Sequence, residues 1–239
     1  MKEERSVFMT EEKTKTGKEQ HLAVRLVVYF IGLFIMTLGI SMSVKSNLGV
    51  SPVSSIPYTI TCIFGLEMGK ATIVFHVFLV ILQILILRKD FKWKNLLQVV
   101  VGVVFGYFTT FSNHLFTYLP APPNMAIRLL MMVGSTILIA TGIFFYLPAD
   151  IIPLAGEGAM KAISDKTGIV FSRVKIGFDV TMVVISLISC LAVLHKLGSV
   201  GIGTVIAAIL VGVNLGIITK LFGKQRDRLL HRDTGLHLD

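Results

Sequence analysis

The sequence predicts an all-α integral membrane protein with six transmembrane helices and two short re-entrant helices, built as an inverted-topology repeat of two three-span halves. Three observations predict it: an apolar composition, a one-sided distribution of basic residues, and a duplication at a constant offset. Of 239 residues, 54% are hydrophobic and only 15% charged, with a mean hydropathy of +0.78, an excess that an ordinary soluble domain does not carry. Runs of about twenty apolar residues, enough to cross a ~30 Å hydrocarbon core at ~1.5 Å per residue, lie near 25–44, 70–88, 95–118, 127–147, 174–194 and 199–221.

The net charge of +9 does not call for nucleic acid, because the basic residues sort by membrane side. With the N-terminus inside, the inner segments hold 19 Lys and Arg, among them Arg25, Arg88, Lys166, Arg173 and Arg226, whereas the outer segments hold only Lys45, Lys70, Arg128 and Lys196. Basic residues mark the cytoplasmic side, so both termini are expected in the cytoplasm, with the basic tails against anionic lipid headgroups. No cleavable signal peptide is expected, since the first twenty residues are charged and the next apolar run is long enough to span. Cys62 and Cys190 fall in apolar stretches without ligand-spaced partners, which argues against a disulfide framework or a metal cluster. No cofactor is implied.

Residues 26–88 and 129–191 carry one order of features 103 positions apart. Gly39-Ile40 falls on Gly142-Ile143, Asn47 on Asp150, Gly65 on Gly168, Lys70 on Arg173, and Phe75-His76-Val77 on Phe178-Asp179-Val180. Only nine of 63 positions are identical, so the weight falls on the shared glycines, the polar pair and a shared interruption. Downstream the offset becomes 110, where Gly102 and Gly106 meet Gly212 and Gly216. Three spans per half is an odd number, so the second half starts on the opposite side and the repeat is inverted. The chain divides into a flexible tail (1–21), one membrane domain (22–222, with repeats 22–119 and 125–222) and a basic tail (223–239). Pro120, Pro122 and Pro123 mark the joint.

The interruption is the same in both halves. An apolar limb after Asn47 or Asp150 leads to a helix of ten to fourteen residues that starts near Pro52 or Pro153 and stops at Gly65 or Gly168. Such helices are too short to span and too apolar for a free loop, which predicts re-entrant segments entering from opposite faces. For residues 153–167 a surface-lying amphipathic helix is the alternative. In the first helix Ser51, Ser54, Ser55, Tyr58, Thr61 and Cys62 form one polar stripe; in the second, Glu157, Lys161 and Asp165 share a face. If the limbs dip inward, both helix N-termini point toward the midplane, where unpaired N–H groups favour an anion. The plain alternative is that Ser51 and Asp150 only cap their helices or turns.

Ionisable groups deep in a span are costly unless paired or hydrated. Asp179 lies midway along the fifth span with Lys175 one turn before it, and His76 is the repeat-related position in the second. These three are the candidate ion-coupling residues; a self-neutralising Lys175-Asp179 pair and a carbonyl-bound His76 are the structural alternatives. Gln83, Asn113, His114 and Asn214 are expected to pack helices. Gly102/Gly106 and Gly212/Gly216 are small-residue seams for packing within the fold, with a homodimer as their second use.

The stretch Gly39-Ile40-Ser41-Met42-Ser43-Val44-Lys45-Ser46-Asn47-Leu48-Gly49-Val50-Ser51-Pro52-Val53-Ser54-Ser55-Ile56-Pro57-Tyr58 resembles the signature of the YczE/YyaS/YitT group of bacterial membrane proteins, with Leu48-Gly49-Val50-Ser51-Pro52 its specific part. The resemblance extends over most of residues 22–222 and implies a multi-span protein of the bacterial plasma membrane. It carries over no functional residue.

The expected function is a small secondary transporter moving a small polar or anionic solute by proton- or cation-coupled alternating access. Asn47, Ser51, Ser54, Ser55, Tyr58, Asp150, Glu157 and Lys161 are the expected solute-binding set. An uncoupled channel or facilitator, and a membrane enzyme or accessory subunit, are the alternatives. No catalytic motif is present: the chain has no GxSxG elbow, HExxH pair or phosphate-cradling loop.

Overall fold

A computed structural model describes the backbone of residues 2–230 and the side chains of residues 22–230. Within these residues the chain is all-helical: α1 (Lys2–Ser46), α2 (Pro52–Phe64), α3 (Met68–Leu87), α4 (Leu97–Thr117), α5 (Met125–Tyr146), α6 (Ala155–Thr167), α7 (Phe171–Leu194) and α8 (Ile202–Leu229). Six stretches are long and apolar enough to cross a membrane: Leu22–Ser46, Met68–Asp90, Trp93–Thr117, Met125–Ala149, Phe171–Leu194 and Ile202–Leu229. Helix is the form that lets such sequences satisfy their backbone groups without water. The segment expected to be a flexible tail is helical from Lys2. It is rich in Glu, Lys and Arg, good helix formers that extend a helix the apolar span has already nucleated. At the other end α8 runs on to Leu229, past the expected start of the tail; residues 231–239 lie outside the described residues.

The two short helices recur at the offset read in the sequence: α2 and α6 have 13 residues each and start 103 positions apart. Asn47 and Asp150 turn the chain in the left-handed region, φ 53° and 52°, a conformation Asn and Asp tolerate better than most residues. Gly65 and Gly168 close the short helices with φ 65° and 71°, their N–H groups donating to Thr61 O and Ser164 O at 3.0 and 2.9 Å. A glycine in this position ends a helix without a Cβ penalty.

The centre of the molecule is an antiparallel crossing of α1 and α5. Arg25, midway along α1 where its apolar run begins, donates to Ala149 O at 2.6 Å, while Ser46 at the end of α1 meets Met132 near the start of α5. Between these ends the backbones nearly touch. A methyl on Gly32 would sit 2.8 Å from Gly142 O, and one on Gly39 would sit 2.8 Å from Ser135 O. Ser135 and Gly142 stand 103 positions after Gly32 and Gly39. Helix α4 flanks α1 and runs parallel to it, with Thr37 and Ser112 bonded at 2.9 Å; α8 flanks α5 likewise, Asn214 donating to Thr136 at 3.0 Å.

The short helices cross between halves. α2 packs chiefly on α7, and α6 chiefly on α3. α3 is packed along α4, but α7 has no comparable packing on α8. A methyl on Gly102 would strike His76, and one on Gly106 would meet Gly69 O at 2.7 Å and Ile73. Around Gly212 and Gly216 it would meet nothing within 4 Å. The first seam is thus filled inside the chain, and the second is open.

Candidate solute and ion site

The first turns of α2 and α6 meet. A methyl on Gly156 would lie 3.6 Å from Val53, the position 103 residues before it in the chain. From there α2 climbs with α7: Ser186 donates to Ser55 at 2.9 Å, and one turn on Thr59 and Ser199 bond at 2.6 Å beside Cys190. α6 descends with α3: Gln83 donates to Ala155 O at 3.2 Å near the start of α6, and Lys166 near its end pairs with Asp90 at 3.2 Å.

The solute-binding set predicted from sequence is therefore divided. Ser51 and Ser54 bond to each other at 3.0 Å at the start of α2, beside the α6 terminus. Ser55 is fully buried and committed to Ser186 and Pro52 O. With Thr59, Ser186, Cys190 and Ser199 it forms a buried polar seam that fastens α2 to α7 and the loop after it, so its hydroxyl is engaged within the fold. Tyr58 is half-buried against the α1–α5 core and hydrogen-bonded to Cys62, and burial pushes its phenol up to about 12. Asn47 and Asp150 are exposed at opposite ends of the α1–α5 pair, and Lys161 is exposed on the outer face of α6; none of these three joins the α2–α6 meeting point. The cause is geometric: the left-handed turn at 47 and 150 lies at the helix end, and the chain needs the following residues to come inward.

Glu157 does reach the interior. It is in the first turn of α6, its Oε2 is buried without a hydrogen-bond partner, and both the Leu154 N–H and the Lys175 charge act on it. Burial pushes its carboxyl up to about 7, against the smaller opposite pulls of Leu154 and Lys175. Lys175 donates to Asp179 Oδ2 at 2.8 Å, as the i, i+4 spacing predicts. Asp179 Oδ1 is buried without a partner. His76 departs from the expectation of a shared coupling site, since it packs on α4, against Gly102 and stacked on Phe105 at 5.7 Å. Its Nδ1 has no partner.

Several residues of this region escaped sequence reading. Tyr29 is fully buried with its hydroxyl on Ile152 O at 2.7 Å, bracing the limb before α6, and Gln98 accepts from Gln83 at 2.8 Å beside Gly158. Thr59 was the most accessible of them, being one turn beyond Ser55 on the same stripe. Among the described residues no group of three or more His, Cys, Asp or Glu could hold a metal ion.

Residues 23–220 match a family described as a family of unknown function, DUF6198. The chain belongs to this family. It is similar to two proteins of Bacillus subtilis (strain 168): the uncharacterized membrane protein YczE, 28% identical over 198 residues covering 82% of this chain and 86% of that one, and the uncharacterized protein YyaS, 26% identical over 200 residues covering 81% and 92%. No solved structure matches the chain. Family membership, the relatives and the six apolar helices together make this a membrane protein.

Proposed function

We propose that this DUF6198 protein is a small secondary transporter of the bacterial plasma membrane, with inverted halves that alternate access to a small polar or anionic solute, coupled to a proton or another cation. The observation that carries the reading is the unequal closure of two related halves: α3 is seated on the Gly102/Gly106 seam, while α7 stands off the equivalent Gly212/Gly216 seam. Exchange of these two arrangements between antiparallel halves produces a second state open to the opposite face, the usual consequence of inverted repeats in transporters.

The re-entrant reading is supported by chain direction. The limbs 47–51 and 150–154 have five residues each, a reach of at most ~18 Å, enough to bring the starts of α2 and α6 from opposite ends to the middle. The solute would lie at that meeting point, held by Ser51 and Ser54 hydroxyls and by the unpaired N–H groups of two helix N-termini. The cytoplasmic side is assigned to the end holding Arg25, Arg88, Lys89, Lys166, Arg173 and Arg226, in line with the positive-inside rule.

The test is flux into proteoliposomes of purified protein across a panel of small polar solutes and carboxylates, with and without an imposed proton gradient. Uptake that depends on the gradient, and growth phenotypes altered by Asp179→Asn, are expected. Uptake indifferent to the gradient would replace the transporter by a facilitator, and absence of all flux would overturn the reading.

A further inference from the structure

Glu157 in the first turn of α6 and Asp179 in α7 each hold one carboxylate oxygen buried without a partner, and the charge of Lys175 acts on both. Asp179 takes Lys175 through Oδ2 and leaves Oδ1 buried and unpartnered; Glu157 feels the same lysine and leaves Oε2 buried and unpartnered. No other element packed against α6 supplies a balancing charge. From α3 comes Gln83, whose amide donates to Gln98 and to Ala155 O of α6, with His76 turned to α4; from α4 comes Gln98. From α1 comes Tyr29, whose hydroxyl donates to Ile152 O and lies within the field of Glu157. Lys161, Asp165 and Arg173 are exposed. The cluster is therefore short of one positive charge, and an uncompensated carboxylate in such surroundings is costly.

We propose that Glu157, not Asp179, is the site that takes up the coupling ion, one proton delivered to Oε2, with Lys175 dividing its charge between the two carboxylates. With Glu157 neutral, Lys175 belongs to Asp179. When the proton leaves to water, Lys175 offsets part of the new charge on Glu157 and holds Asp179 less firmly, so protonation changes the tie between α6 and α7. Burial, which raises the proton affinity of Glu157 into the physiological range, suits this role. The coupling role rests on the transporter reading; the proton site does not.

The experiment is a pH titration of the full chain in lipid nanodiscs, followed by the infrared carbonyl stretch of a protonated carboxylic acid. In the unsubstituted protein a band is expected to titrate near neutral pH, and Glu157→Gln removes it. Asp179→Asn keeps the band and moves its midpoint down by about one unit, a tenfold loss of proton affinity, because Lys175 then serves Glu157 alone. Lys175→Gln, which leaves both acids in place, moves the midpoint up. A band that survives Glu157→Gln, or one displaced by sodium at constant pH, would overturn the proposal. Titration as described in a protein that moves no solute would keep the proton site and sink the transporter; solute flux without such a band would do the reverse.

Discussion

Glu157 and Ser55 differ by one feature at the residue scale: each polar group is buried, but only the serine is fully bonded. Ser55 donates to Pro52 O and accepts from Ser186, so its hydroxyl adds specificity to the α2–α7 contact without an energetic liability. Glu157 has no such closure for Oε2. Burial raises its carboxyl from the ordinary carboxylate value of about 4.5 to about 7. A raised value means that the fold prefers the neutral form, so its contribution to stability is full below about 4.5 and is lost as pH rises through about 7. Thermal unfolding followed from pH 4 to pH 8 is expected to show that decline in the unsubstituted protein, and Glu157→Gln should flatten it. A decline of equal size in the variant would remove Glu157 as its cause. Ser55→Ala leaves Ser186 without its acceptor in a buried seam, which costs about 1–3 kcal/mol; the melting temperature of the variant measures it.

At the scale of elements, the α1–α5 crossing sets the distance between halves. Close approach requires no side chain at Gly32, Gly39 and Gly142, because neighbouring backbone atoms already occupy the place of a Cβ. Gly39→Val is therefore expected to cost about 1–3 kcal/mol or more and to impair assembly, whereas Gly177→Val on the open face of α7, where a methyl meets nothing within 4 Å, leaves the melting temperature within about 1 °C. Equal tolerance at both positions would mean that the halves do not cross here. The short helices were legible as elements because proline, length and a closing glycine are local signals. Which of their polar residues face a neighbour was not, since the stripe from Ser51 to Cys62 looks the same whether it lines a cavity or meets Ser186 and Cys190.

For the whole molecule, the difference between the α3–α4 and α7–α8 pairs is the element that changes. Ile73 and Gly106 are in contact, whereas Ile176 and Gly216, the positions the proposed repeat pairs with them, are apart. Double-cysteine variants at 73/106 and at 176/216, built with Cys62 and Cys190 replaced by alanine and serine, test the exchange in native membranes. The first pair is expected to cross-link readily and the second in a fraction of molecules that grows under conditions favouring the other state; locking either one stops transport. A second pair that never cross-links would leave a single rigid state and no alternation.

What the sequence by itself determined is the number of the spans and the two short helices, because apolar run length, proline and glycine act locally along the chain. The tertiary structure alone decided how the polar groups are spent. Burial and pairing depend on neighbours from other elements: Ser55 is closed by Ser186 of α7, His76 packs against Gly102 and Phe105 of α4, and Glu157 keeps Oε2 unpartnered while the one lysine near it serves Asp179. Spacing within a helix cannot reveal a partner that arrives from a residue more than a hundred positions away.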